Sequence, residues 1–127
     1  MRIVFLTGAG MSAESGVPTF RDALTGLWSN YDAERLATPD AFRRDPALCW
    51  GWYRWRAALV RRAVPNAGHL AIAGSGARGH AVAVVTQNVD DLHERAGSED
   101  VVHLHGRLFA SRCLDCGEAM TPDPILD

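Results

Sequence analysis

The sequence predicts an α/β fold, in which part of a doubly wound parallel sheet carries a helical segment between its first two strands. Residues 3–7 and 81–85 are short apolar runs rich in branched side chains, which is typical of parallel strands buried on both faces. A glycine turn ends the first run, and helical patterns alternate with the strands. A chain of 127 residues can bury one modest core, so we expect one domain or part of one.

The first third of the chain contains one short helix and an irregular stretch. The helix is expected to begin near residues 12–13 and to end by residues 16–18, and residues 19–40 are polar and irregular. Thr38 followed by Pro39 is typical of a helix start, with the threonine as the N-cap. A helical segment is therefore expected to follow from about this position.

Residues 46–64 form the strongest helix candidate. Four large apolar side chains share one face of it at helical spacing, namely Leu48, Trp52, Trp55 and Leu59. Pro65 breaks this helix, and residues 69–73 give another short one. The glycine-rich residues 74–79 are then expected to form a flexible connection.

The last third of the chain returns to strands. After the second strand a helix is expected over residues 89–96, closed by Gly97, and a third strand over residues 101–105. Residues 108–112 are expected to be extended and to lead into Cys113. The predicted parts are a Rossmann-like part at 1–36 and 80–107, a helical insertion at 37–79, and the first half of a zinc-ribbon module at 108–127.

Composition and charge exclude several classes of protein. The 13 lysine and arginine residues against 15 aspartate and glutamate residues give a net charge of −2, so no nucleic-acid or membrane partner is implied. The longest apolar run, residues 81–85, is far too short to cross a bilayer. The N-terminal apolar run is short and lacks the cleavage region of a signal peptide. Three cysteines do not make a disulfide framework, which favours a cytoplasmic location.

The glycine turn at residues 8–13 fits the dinucleotide-binding pattern G-x-G-x-x-G/A, because it follows a strand and opens a helix. Gly8 permits the tight turn, Gly10 lets the backbone approach a pyrophosphate, and the helix N-terminus then faces that negative charge. A plain strand–helix turn is the alternative. An ordinary dehydrogenase would carry an acidic residue at the end of a second strand about twenty residues on. Asp32 and Glu34 lie in irregular sequence instead, which counts against hydride transfer.

Three stretches, residues 8–21, 86–97 and 103–116, together resemble the sirtuin family of NAD-dependent protein lysine deacylases. In that family the first stretch wraps the cofactor, a phenylalanine at the Phe20 position shields the reacting ribose carbon from water, and an arginine at the Arg21 position lies beside the cofactor. By themselves these two side chains also fit a packed aromatic and a surface cation. The resemblance implies contacts to NAD from Gly8, Ala9, Gly10, Ser12, Ala13, Glu14, Pro18, Thr19, Phe20 and Arg21.

The second stretch begins where a buried strand meets a helix, and open α/β sheets bind ligands at the carboxyl ends of their strands. Helix capping by Asn88 or Asp90 is the alternative interpretation. The resemblance implies that Gln87 and Asn88 contact the nicotinamide-side ribose and its pocket, that Asp90 holds the nicotinamide amide, and that Val89 belongs to the same cofactor site.

His105 stands in the His-Gly position of the family and is therefore assigned as the general base, a role that suits histidine because it titrates near neutrality. A histidine at a strand end is also often structural. His103, two positions earlier and so expected to face the same side of the strand, is the rival candidate. The mechanism that the resemblance implies consumes NAD as a substrate. The acyl-lysine carbonyl oxygen attacks the ribose carbon as nicotinamide leaves, and His105 then removes a proton from a ribose hydroxyl. The products are free lysine, nicotinamide and O-acyl-ADP-ribose.

Tyr53 and Arg56 are three residues apart in the long helix and so share a face, which is expected to be separate from the tryptophan stripe. A hydroxyl beside a guanidinium suits recognition of a carboxylate. The Tyr-x-x-Arg pattern resembles the signature of sirtuins that remove succinyl and malonyl groups, which implies acyl-lysine proteins or peptides as partners. Deacetylation is an alternative activity. Without any role in recognition, the pair would be a solvated arginine beside a half-buried tyrosine.

Cys113 and Cys116 have the spacing and the trailing glycine of a zinc knuckle. A structural zinc needs four ligands, and the resemblance implies a second cysteine pair beyond residue 127. A redox-active Cys-x-x-Cys is the rival interpretation, but no helix signature follows Cys113 to support it. Cys49, far upstream, is expected to be a small buried residue.

The resemblance covers nearly the whole chain, but only the N-terminal part of the family's catalytic core. We therefore expect a fragment, or a shortened reading of a longer gene, whose isolated chain exposes strand edges and apolar surface and is poorly stable. Two alternatives stay open. One is an inactive module that binds NAD or ADP-ribose, and the other is a zinc-knuckle interaction protein that dimerises to complete a four-cysteine site.

Overall fold

A computed structural model describes residues 1–19 and 28–120 of the chain. Within these ranges, strands and helices alternate along the sequence as the hydrophobic pattern predicts. The elements are β1 (Arg2–Thr7), α1 (Gly10–Ala13), α2 (Ala33–Leu36), α3 (Pro39–Arg44), α4 (Pro46–Arg62), α5 (Ala67–Ala77), β2 (Ala81–Thr86), α6 (Leu92–Arg95) and β3 (Val101–His103).

The described strands form one parallel sheet in the order β1-β2-β3. Thr7 pairs with Thr86, and Thr86 pairs with His103, so the carboxyl ends of the three strands meet at one edge of the sheet. This topology confirms the predicted α/β class as part of a Rossmann-like sheet. The residues that follow the three strands are thereby brought together.

One face of the sheet is exposed, which corrects the expectation that the strands are buried on both faces. Side chains alternate between the two faces along a strand. On one face Val84 is completely buried, whereas on the other Val4 and Leu6 expose 62% and 71% of their surface. The described helices therefore cover only one side of the sheet, and the other side presents apolar side chains to solvent.

Helix α4 agrees with its prediction to within two residues and connects the two parts of the core. Asp45 caps it by accepting a hydrogen bond from the Leu48 backbone N–H at 3.0 Å. Of the predicted apolar stripe only Trp52 is fully buried, while Cys49, Ala57 and Val60 supply the other buried positions. Trp52 packs with α2, and Ala57 and Val60 pack with residues that follow β2 and β3.

Helix α5 continues through most of the segment that was expected to be a flexible connection, so that prediction is wrong as far as Ala77. Its start is fixed by a capping box. The Asn66 side chain accepts from the Gly68 backbone N–H at 2.9 Å, and the Asn66 backbone N–H donates to His69 Nδ1 at 3.1 Å. Ile72 buries one side of the helix against the sheet. Packing and capping thus outweigh the low helix propensity of glycine.

Several other elements are shorter than predicted. The expected helix over residues 89–96 contracts to α6, because residues 87–91 form a loop in which Asp90 accepts a hydrogen bond from the Leu92 backbone N–H at 3.1 Å. The expected strand over 101–105 ends at His103. Residues 108–109 form a turn and residues 110–111 are irregular, so an extended pairing begins only at Arg112, in an isolated antiparallel bridge with Ala119.

Within the described residues, no helix combines the length and the apolar character that a membrane-spanning helix requires.

Candidate active site

A cavity of about 350 Å³ lies at the edge of the sheet where the strands end. Its walls come from α4, from the turn after β3, and from the two stretches at residues 8–21 and 86–97 that were predicted to bind a ligand. The lining residues are Ala9, Ser12, Val17, Pro18, Thr19, Arg56, Val60, Gln87, Asn88, Val89, Asp90 and His105. A wider open depression of about 790 Å³ lies at the opposite end of the strands, and of the three motif stretches only Gly97 lines it.

A chain of hydrogen bonds supports the floor of this cavity. The Asn66 backbone N–H donates to His69 Nδ1, so the ring proton of a neutral His69 is on Nε2, which donates to Ser12 Oγ at 3.4 Å. The Ser12 hydroxyl in turn donates to Asp90 Oδ2 at 2.8 Å. Ser12, His69 and Asp90 are all buried. The carboxylate of Asp90 is therefore held in one orientation from below.

Asn88 ties the glycine turn to the loop after β2. Its Nδ2 donates to the Gly8 carbonyl at 2.9 Å and to Ser12 Oγ at 3.3 Å, and its backbone N–H donates to Thr86 Oγ1 at 3.0 Å. The two motifs, about eighty residues apart in sequence, thus form one polar unit. Asn88 and Asp90 do more here than cap a helix, which was the alternative interpretation of both residues.

The two candidate histidines occupy different environments. His105 lies in the exposed turn after β3 and lines the cavity. His103 is on the covered face of the sheet, with 3% of its side chain exposed, and both of its ring nitrogens have hydrogen-bond partners. The expectation that the two rings share one side of a strand is wrong, because β3 ends before His105. This placement favours His105 as the residue that reaches a ligand.

Arg56 lines the cavity, but Tyr53 does not. The Arg56 guanidinium lies 5.0 Å from the centre of the Trp52 ring, and the Tyr53 ring centre is 4.8 Å from that of Trp52. The expected separation of this pair from the tryptophan stripe is therefore wrong. Burial raises the pKa of the Tyr53 hydroxyl and lowers that of the Arg56 guanidinium, whose charge Tyr53 and Asp90 favour.

Cys113 and Cys116 lie in a tight turn closed by backbone hydrogen bonds. The Cys113 N–H donates to the Glu118 carbonyl at 2.8 Å, and the Gly117 N–H donates to the Cys113 carbonyl at 3.0 Å. Gly117 has a φ of 75°, which suits glycine. Hydrogen bonds from the backbone of Cys116 and Asp115 lower the pKa of the Cys113 thiol. Within the described residues no group of three potential metal ligands is present.

Some predicted cofactor residues lie away from the cavity wall or outside the described residues. Gly8 and Gly10 are not on the cavity wall, and Ala13 and Glu14 are exposed and do not line it either. Helix α1 is a single turn, so the expected helix N-terminus can offer little to an anion. Asp32 caps α2 and does not end a strand. Phe20 and Arg21 lie outside the described residues.

Sequence reasoning missed the buried histidines His69 and His93, whose ring centres are 4.9 Å apart. His93 Nε2 lies 3.0 Å from Thr7 Oγ1 at the end of β1. The signal for His69 was present in the sequence, since Asn66 three residues earlier matches a capping box. Burial lowers the pKa of both histidines, and for His93 the neighbouring His69 lowers it further.

The lowered pKa values predict a loss of stability in acid. A histidine that binds protons less readily when folded contributes stability that is complete above its ordinary pKa of about 6.5 and is lost as the pH falls below it. We expect the free energy of unfolding to decline from pH 7 to pH 5, and to decline less in His93→Gln. Urea unfolding across this range measures the effect, with His80→Gln, outside this cluster, as the control. The same decline in His93→Gln as in the wild type would contradict the assignment.

Comparison with known proteins agrees with this geometry. The model of the Sir2 family matches residues 8–127. The chain is 62% identical to NAD-dependent protein deacylase 1 of Pseudomonas aeruginosa over 118 residues, covering 93% of this chain and 47% of that protein. It is 52% identical over 134 residues to the NAD-dependent protein deacylase of Mycobacterium tuberculosis, covering 100% of this chain and 56% of that protein.

Solved structures show the same similarity. The crystal structure of a Sir2 homologue in complex with NAD superposes with a TM-score of 0.83 at 52% identity, covering 92% of this chain and 46% of that one. A Sir2 homologue in complex with 2′-O-acetyl ADP-ribose gives a TM-score of 0.81 at 52% identity, covering 92% of this chain and 47% of that one. The chain thus spans about half the length of these relatives, and it matches their N-terminal part.

Proposed function

The chain belongs to the Sir2 family, and we propose that it is the N-terminal part of an NAD-dependent protein deacylase that removes acyl groups from lysine side chains. The observation that carries the proposal is the single cavity shared by the glycine turn, the loop after β2 and His105. The names of the relatives and the NAD and acetyl-ADP-ribose complexes of related structures support the same reaction. We retain the division into residues 1–36 with 80–107, 37–79 and 108–127 as part of this proposal.

The donors and acceptors around the cavity fit NAD. Nothing lies within 4 Å of the point where a side chain at Gly10 would begin, so a phosphate can approach this backbone closely. Gln87 is exposed at the rim, and Asp90 is a buried carboxylate on the wall, suited to accept a hydrogen bond from an amide. When bound, NAD supplies a ribose carbon from which nicotinamide leaves.

Four polar residues of the cavity then have defined tasks. Asp90, held by Ser12 and the Leu92 N–H, binds the carboxamide of nicotinamide. Asn88 and Gln87 contact the adjoining ribose. His105 accepts a proton from a ribose hydroxyl, because it is the histidine that lines the cavity. For Phe20 and Arg21, the proposed position beside the cofactor is supported by the sequence motif alone.

An assay of the full-length protein with NAD and an acyl-lysine peptide tests this function. We expect one nicotinamide and one O-acyl-ADP-ribose for each lysine released, detected by mass spectrometry. An inactive NAD-binding module would bind the cofactor without forming either product, and that outcome would overturn the proposal.

We further propose that the acyl group is succinyl or malonyl, with acetyl as a poorer substrate. The support is the position of Arg56, whose cation lies at the wall of a cavity that also holds His105. Tyr53, like Arg56, packs against the Trp52 ring, but it is not on the cavity wall. Arg56 is therefore the residue on which recognition of the acyl carboxylate chiefly depends.

Arg56→Met is expected to lower kcat/KM for desuccinylation by about 10- to 100-fold, the range expected for loss of a hydrogen bond to a charged group. Deacetylation should change little, because an acetyl group has no carboxylate. The matched control is Arg54→Met, which removes an exposed cation from the same helix. Equal losses of kcat/KM on succinyl and acetyl peptides would show that Arg56 stabilises the fold or binds NAD and does not recognise the acyl group.

Cys113 and Cys116 are proposed as two of four ligands of a structural zinc. The residues present fit a metal, because the tight turn and its N–H groups favour thiolate at Cys113. Zinc bound there would join this turn to a second pair of ligands. A cytoplasmic location stays a prediction from the use of cysteine.

A further inference from the structure

The side chain of His103 connects three elements at the edge of the cavity. It leaves β3 on the covered face with 3% of its surface exposed. Nδ1 lies 2.7 Å from the backbone carbonyl oxygen of Asn88, and Nε2 bonds the carboxylate of Glu94 in α6. A backbone carbonyl oxygen only accepts, so Nδ1 carries a proton and donates to Asn88.

A second hydrogen bond attaches the same segment to the next carbonyl of the loop. The Leu108 backbone N–H donates to the Val89 carbonyl at 2.8 Å. Residues 103–108 therefore form an arch whose two ends are fixed to consecutive carbonyl groups, those of Asn88 and Val89. His105 lies in the exposed turn of this arch, between the two attachments.

We propose that His103 and Glu94 are positioning residues that set the distance between His105 and the loop that carries Asn88 and Asp90. The role rests on the proposed function, since it concerns the geometry of that reaction. Neither residue lines the cavity, so both act through the backbone of the arch and the loop. A misplacement of about 1 Å between reacting groups can cost about a hundredfold in rate.

The hydrogen bond from His103 to the Asn88 carbonyl distinguishes a positioning role from simple packing. A side chain that only filled space at position 103 would hold β3 against α6, but it would leave this carbonyl without its donor. Asn88 also donates from its side chain to Gly8 and Ser12. The hydrogen bond from His103 thus fixes the backbone of Asn88, whose side chain is already fixed. The arch and the loop at residues 87–91 therefore move as one unit.

Two substitutions at this position separate positioning from packing. In His103→Asn the amide nitrogen takes the place of Nδ1 and keeps the bond to the Asn88 carbonyl. In His103→Gln the longer amide reaches Glu94 and leaves the carbonyl unbonded. We expect His103→Asn to keep kcat of the full-length protein near the wild-type value. We expect His103→Gln to lower kcat by about tenfold or more, with little change in KM for NAD.

Amide hydrogen exchange gives a readout that does not depend on activity. The N–H groups of Leu104 and Leu108, which bond to Thr86 and Val89, should exchange faster in His103→Gln than in His103→Asn. Equal kcat and equal exchange in the two variants would overturn the positioning role. A wild-type protein without NAD-dependent deacylation would instead overturn the proposed function.

Glu94→Ala supplies a second variant in case His103→Gln destabilises the fold. Alanine removes the partner of Nε2, so the ring is no longer held against α6 and its hydrogen bond to the Asn88 carbonyl is weakened. We expect kcat to fall at unchanged KM for NAD. An unaltered kcat in this variant would also refute the proposal.

Discussion

Replacement of His105 by alanine is expected to lower kcat for NAD-dependent deacylation by about 10²- to 10⁴-fold, the range expected for loss of a general base. The reason is geometric, because the structure puts this imidazole on the wall of the cavity that residues of the glycine turn also line, while His103 is enclosed by its partners. Nicotinamide and acyl-ADP-ribose formation, followed in the full-length protein, measures the effect. His105 is exposed, so the melting temperature should hardly change.

The control for this substitution is His80→Ala, which removes a histidine near the opposite end of the sheet. Binding of NAD by calorimetry should survive in His105→Ala, because the residues assigned to the cofactor remain. If His105→Ala kept activity within a few-fold of the wild type, another group would have to accept the proton. The Asp90 carboxylate, on the same wall, would then be the next candidate to replace.

Local sequence patterns were sufficient to predict the fold class and the location of the cavity. Short apolar runs identify the strands and the period-3.6 pattern identifies α4, and the two motifs must meet because parallel strands end at one edge. Gln87, Asn88 and Asp90 follow from that rule before any side-chain contact is known. In the sequence, only the motif resemblance distinguished His105 from the other histidines. The structure adds a physical difference, because both ring nitrogens of His103 are hydrogen-bonded within the protein.

What the sequence could not supply depends on contacts between distant residues. The pairing of His103 with Glu94, and of Ser12 with Asp90 and His69, arises only when the loop, α1 and α5 are packed together. Exposed apolar surface was expected of a fragment, but the strands did not show which face of the sheet would carry it, because their continuous apolar runs are typical of burial on both faces. Its exposed Val4 and Leu6 belong to a chain that spans about half the length of its relatives.

The length of α5 illustrates how tertiary contacts override local propensity. Gly74 and Gly76 predict a break, yet the helix continues past both to Ala77. The capping box at Asn66 and the buried side chains of His69 and Ile72 fix the first two turns, and the glycines then extend a helix that is already formed. Glycine content alone is therefore a poor guide to where a packed helix ends.

Replacement of Trp52 by alanine is expected to cost about 3–5 kcal/mol of folding free energy, the range for truncating a large buried aromatic side chain. Among residues 1–19 and 28–120, Trp52 is the largest fully buried side chain, and it joins α4 to Ala33 and Leu36 of α2 while the Tyr53 ring packs on it. A loss of this size is a large fraction of the total stability of an ordinary domain. Urea unfolding of the full-length protein, monitored by circular dichroism, measures it.

Trp55→Ala is the matched control, because Trp55 lies on the same helix but is only partly buried, and we expect it to cost less than half as much. Trp52→Phe should recover much of the stability, since an aromatic ring still fills the site. The same ring lies beneath the Arg56 guanidinium at 5.0 Å, so its removal also frees that cation to move. At temperatures where both variants are folded, Trp52→Phe should therefore retain desuccinylation activity, whereas Trp52→Ala should lose it. Equal costs at positions 52 and 55 would show that the core is not centred on Trp52.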